Sequence, residues 1–130
     1  MEERDFEELL ALEKAFYTQL IETEGLTREL SEAVERQDQM SVRMVMSMRR
    51  KPVTELQEIR GQRKLKRLEL SEGDGKQFDR LAEGGVPQCP GEESMVRQAR
   101  MNRRLLERIL EEDQEIHRKL CGNRPCYNEQ

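Results

Sequence analysis

"FEELLALEKAFYTQLIETEGLTRELSEAV", residues 6–34, decides the fold. Phe6, Leu9, Glu13, Phe16, Leu20, Thr23, Thr27, Leu30 and Val34 follow one another in steps of three and four. That spacing puts them on one seam of a helix with a slight left-handed supercoil. Six of the nine are apolar, and Leu10, Tyr17 and Ile21 widen the stripe. A helix of this kind buries one stripe and leaves the rest of its surface in water. The composition fits that picture: 35% apolar, 4% aromatic and 38% charged, with no Trp, is too lean for a thick globular core. Periodicity is what separates such a chain from a disordered one. About thirty residues of helix reach roughly 45 Å. Gly25 marks the weakest turn, at about 1 kcal/mol relative to alanine, so one long helix is expected, frayed or kinked there.

The next stretch, "AVERQDQMSVRMVMSMRRKP" (residues 33–52), contains the first turn. Asp38 suits an N-cap, its carboxylate accepting from free amides of the following turn. A second seam runs through Val42, Val45, Arg49, Pro52, Leu56 and Ile59, with Met46 and Val53 beside it. Pro52 lacks a donor and crowds the preceding turn, so a kink or break is expected, a kinked continuous helix being favoured. The basic run from Arg60 to Leu70 extends this helix. Glycines 73, 75, 84 and 85 then bracket a short helix around Phe78 and Leu81, and "VPQCPGEE" reads as loop. The last helix has the most regular seam: Met95, Ala99, Asn102, Leu106, Ile109, Asp113, Ile116 and Leu120. Gly122 and Pro125 stop it.

These elements predict an all-α fold, an antiparallel bundle of three long helices with a short extra helix in the connection before the last. Residues 1–122 form the bundle domain, with a long mobile connection at about 71–92, and residues 123–130 form a flexible tail. Residues 1–37 carry 11 acids against 4 bases, and residues 43–67 carry 9 bases against 2 acids. Opposite charges of this kind would pair the first two helices and set their register.

Several function classes find little to stand on. No apolar run approaches the length of a membrane span, and the acidic start lacks the features of a secretory signal. Cys89, Cys121 and Cys126 read as free thiols of a cytoplasmic protein. No phosphate loop, nucleophile elbow or Ser–His or Cys–His pair with an orienting acid is present, so no enzyme is expected. The spacing of His117, Cys121 and Cys126 matches no usual zinc pattern, and no metal or cofactor is expected. Arg60, Arg63, Lys64, Lys66 and Arg67 could contact phosphates, but a solvated face opposite the acidic helix is the simpler account; no nucleic acid is expected. Asn102 and Asp113, polar at seam positions, would fix register, or either would lie at an open edge where the seam meets water, Asp113 above all.

The methionines are the informative cluster. Met40, Met44 and Met48 recur every fourth residue on a stripe separate from the Val42–Val45 seam, while Met46 falls on the seam. The second helix is therefore apolar on two adjacent faces. One face meets the first helix; the other meets the last helix, a second copy of the chain or a different protein. Methionine is flexible enough to serve either a core or an adaptable docking surface. Leu105, Leu106, Ile109 and Leu110 make the last helix wider than one groove covers, so it too is a candidate for exchange with a partner helix.

The segment "LSEAVERQDQMSVRMVMSMRRKPVTEL" (residues 30–56) resembles bacterial flagellar export chaperones of the FlgN and FliT kind. The matching positions are Asp38, Val42, Val45, Arg49, Val53 and Leu56. "ARMNRRLLERIL" (residues 99–110) is similar to the last helix of that family. Pro52 and the glycine-rich connection depart from its pattern. The resemblance implies a cytosolic chaperone that binds the amphipathic terminal helix of hook-associated or filament-cap proteins. It would prevent their premature assembly and deliver them to the type III export apparatus. Carried onto this chain, the client-binding positions are Leu105, Leu106, Ile109, Leu110 and Ile116, with Met40, Met44 and Met48 as the second apolar face. The alternative reading is a dimeric coiled-coil structural or regulatory protein without an export client.

Overall fold

The computed structural model describes residues 1–122, which are helical apart from short connections and contain no strand. The tail assigned to residues 123–130, and Cys126 with it, lies outside them. Four helices follow in order: α1 (Glu3–Glu35), α2 (Gln39–Glu69), α3 (Glu72–Ala82) and α4 (Glu92–Cys121). None of the described helices is long and apolar enough to cross a membrane.

The α1–α2 turn takes three residues. Gln37 is left-handed, with φ at 56°. The Gln37 amide donates to the Val34 carbonyl and the Asp38 amide to the Ala33 carbonyl, both at 3.0 Å. These paired bonds satisfy the last carbonyls of α1. Asp38 then begins α2 at once, its Oδ1 accepting from the Ser41 amide at 3.1 Å. Pro52 does not break α2, which runs unbroken from Gln39 to Glu69 with Pro52 buried. Gly25 likewise lies inside a continuous α1.

Three apolar clusters fix how the helices lie. Leu9 of α1 packs with Phe78 and Leu81 of α3 and Met95 and Val96 of α4. In the middle, Phe16 and Leu20 meet Ile59 of α2 and Leu105 and Ile109 of α4. At the far end, Leu26 and Leu30 meet Val45 and Ile116. Residue numbers thus rise together in α1 and α4 and fall in α2. α1 is the shared spine, α2 and α4 each pack along it, and α3 covers the end where α1 and α4 begin.

The expected charge pairing between α1 and α2 is gathered at that same end. The Lys66 ammonium lies 2.5 Å from both Asp5 and Glu8, and Arg63 reaches Glu13 at 3.5 Å. Two seam positions set α4 in place. Asn102 donates from Nδ2 to the Glu13 carbonyl at 2.8 Å in a buried position. Asp113 accepts from the Arg49 guanidinium through both oxygens, at 3.0 and 3.1 Å, so two polar seam residues on different helices meet each other.

The connection contains the short helix expected there. Eleven of its residues form α3, and a buried ion pair at its far end holds the start of α4. Glu92 is buried, and its two oxygens accept from both terminal nitrogens of Arg80 at 2.9 and 3.0 Å. The Gln77 side chain and the Gln88 amide each donate to it at 2.8 Å. Arg80, in the last turn of α3, therefore ties that helix to the first residue of α4.

Candidate functional site

The candidate docking residues separate into two groups. Met40, Met44 and Met48 are 80%, 57% and 51% exposed, so none of the described helices covers the methionine stripe. Met46, expected on the α2 seam, is also half exposed; Val45 is the buried residue there. On α4 the outcome is opposite. Leu105, Ile109 and Ile116 are buried in the middle and far clusters and Leu106 is half-buried against the middle one, while Leu110 faces solvent. Leu105, Ile109 and Ile116 are core, and the spacing that made them look like a spare surface is the spacing that packs them on α1.

Two open grooves lie along the furrow between α1 and α2. One groove of about 690 Å³ is lined by Ile21, Glu22, Gly25, Ser47, Met48 and Lys51, among others from the same two helices. A second, of about 410 Å³, includes Ala11, Leu12, Gln62, Leu65 and Glu69. α3 and α4 contribute no residue to either. Leu65 is 66% exposed, and it escaped sequence reasoning. The signal was available: Met44, Met48, Lys51, Glu55, Glu58, Gln62 and Leu65 step by four and three along α2, a second seam on the flank of the first.

Gly25 lies in this furrow, and a methyl group placed there would meet nothing within 4 Å. Glycine in a helix interior costs about 0.5–1 kcal/mol relative to alanine, and nothing among the described residues requires it. Gly25→Ala should therefore stabilise the free protein by about that amount, read as a rise in the urea midpoint.

A separate polar cluster sits where α1, α2 and α4 meet. Glu13 is 1% exposed, and burial pushes its carboxyl above the ordinary carboxylate range while Arg63 pulls against the shift. The Arg63 guanidinium lies over the Phe16 ring, 4.5 Å from its centroid, a favourable cation–π position. A cavity of about 160 Å³ beside them is bordered by Arg60, Asn102 and Arg103. The basic run of α2 is therefore divided. Arg63 turns to Glu13, Lys66 to Asp5 and Glu8, and Arg67 to Asp79 at 3.0 Å, whereas Arg60 and Lys64 remain exposed.

Among the described residues no three His, Cys, Asp or Glu side chains gather as a metal cluster. Cys89 is a free, exposed thiol. The Cys121 sulfur lies 3.7 Å from His117 Nε2. Comparison with protein-family models, with curated proteins and with solved structures finds no match to this chain.

Proposed function

We propose that the chain is a helix-binding protein acting as an export chaperone of the flagellar kind, with no catalytic role. Its client would be the amphipathic terminal helix of a hook-associated or filament-cap protein, held back from assembly in the cytoplasm and passed to the export apparatus. The observation that carries this reading is the open methionine flank of α2. Large flexible side chains stand in water along one flank of α2, and such surfaces serve partners whose helices differ in detail. The client seat moves, relative to the sequence expectation, from α4 to the α1–α2 side. Lifting α4 away would expose Leu105, Ile109 and Ile116, at about 2 kcal/mol each, before any client contact formed.

The test is titration of purified terminal helices from hook-associated and cap proteins against the full chain. Met44→Glu with Met48→Glu should weaken binding by about thirtyfold, equivalent to ~2 kcal/mol. Circular dichroism should be unchanged, because both side chains are exposed. Absence of binding by every such helix overturns the reading. Concentration-dependent dimers that the same double substitution disperses would favour the client-free dimer instead.

A further inference from the structure

Resting on that reading, the furrow itself specifies its occupant more narrowly. On the α1 wall, Ala11, Ala15, Thr18, Glu22, Gly25 and Glu29 step by four, three, four, three and four. This is heptad spacing, displaced from the buried seam, and four of the six side chains are small. Small residues at these steps let another helix approach closely. The α2 wall answers with Met48 and Leu65 in the same phase. From Glu8 to Glu29 and from Ser47 to Glu69 the two walls run for about 30 Å each. That length matches a helix of about 20 residues.

Charge decides which helix fits. Glu22, Glu29 and Glu69 border the furrow, and the four-three stepping of α2 carries Glu55 and Glu58 onto the same wall. Against them stands Lys51, because Lys66 is already engaged by Asp5 and Glu8. The furrow is therefore apolar at its floor and acidic at its edges. A second copy of the chain, docking through the same face on a two-fold axis, would bring these acids against themselves, and like charges brought together disfavour association.

We infer that the α1–α2 furrow seats one foreign amphipathic helix whose narrow apolar edge is flanked by lysine or arginine. The occupant completes a layer that α3 and α4 leave open, and Gly25 gives its backbone the closest approach.

The experiment uses the full chain and two synthetic amphipathic peptides of about 21 residues with identical leucine–alanine edges. One is flanked by lysine and its twin by glutamate. Fluorescence anisotropy should show the lysine form binding about tenfold tighter or more. Raising salt from about 50 to about 300 mM should weaken it. Ala11→Trp and Ser47→Trp, both at exposed furrow positions, should each reduce that binding with the helical signal intact. Equal affinity for the twins, or affinity unmoved by either tryptophan, overturns the inference while leaving helix binding standing. Failure of both peptides and of the flagellar helices removes the helix-binding reading itself. A dimer of the free chain that either tryptophan breaks also overturns the inference, since the occupant is then a second copy.

Discussion

Ile109→Asp should unfold the protein, whereas Leu110→Asp, one residue on, should leave it folded. Ile109 is 3% exposed and belongs to the middle cluster with Phe16, Leu20, Ile59 and Leu105, drawn from all three long helices. Aspartate there removes a buried aliphatic side chain, a loss of about 2–5 kcal/mol. It also places a carboxylate among apolar side chains, which adds several kcal/mol or forces the group to take up a proton. A domain of this size holds only about 5–15 kcal/mol in total, and narrow seams put this chain toward the lower end. Leu110 points outward, and surface changes of this kind usually stay within about 0.5 kcal/mol. Far-UV circular dichroism and urea unfolding of the two variants check the contrast. If Ile109→Asp melts like the parent, α4 is not the packed element described above. The same pair controls any binding study, because lost capture by an Ile109 variant would report lost folding.

The contrast also shows how far the sequence reached. Steps of three and four found all three long helices, and the chemistry of Asp38 located the start of α2. The same steps said which residues share a face, but not which neighbour covers it. Met46 and Val45 are adjacent and both compatible with the α2 seam; only the placement of α1 decides that Val45 is buried and Met46 is not. The wide apolar face of α4 likewise admitted two meanings until α1 was seen to absorb it. Polar pairings were harder still. Arg49 and Asp113 are 64 residues apart, and nothing local to either announces the other. Glu13 is a charged residue on the α1 seam, and its meaning depends on Arg63 and on Asn102, which bonds the carbonyl of the same residue. The furrow was present as a second heptad phase, hidden because glutamates and small residues do not register as an apolar stripe.

Glu92→Gln should lower stability at neutral pH by about 3 kcal/mol, the usual result of removing one partner from a buried ion pair. The carboxylate is 3% exposed and stands in the first turn of α4, where the free amides of the helix also favour negative charge. Hydrogen bonds from Arg80, foremost, and from Gln88 and Gln77 hold its pKa down to about 2, against burial that works to raise it. A carboxyl with a depressed folded-state pKa contributes stability that is fully present above its ordinary value of 4.5 and lost as pH falls toward 2. The parent protein should therefore weaken through that window, and the Gln variant should lose the part of the slope that Glu92 supplies. Glu13 pulls the other way, since a raised pKa makes its ionisation a burden to the folded state that acid relieves. The acid limb left in Glu92→Gln should thus be shallower than the parent's. Arg80→Ala tests the geometry independently. If the two side chains act as one clasp, the double variant will be less destabilised than the two single effects added together. Additive losses would mean that each side chain matters for separate packing, and that α3 and α4 are joined by something other than this ion pair.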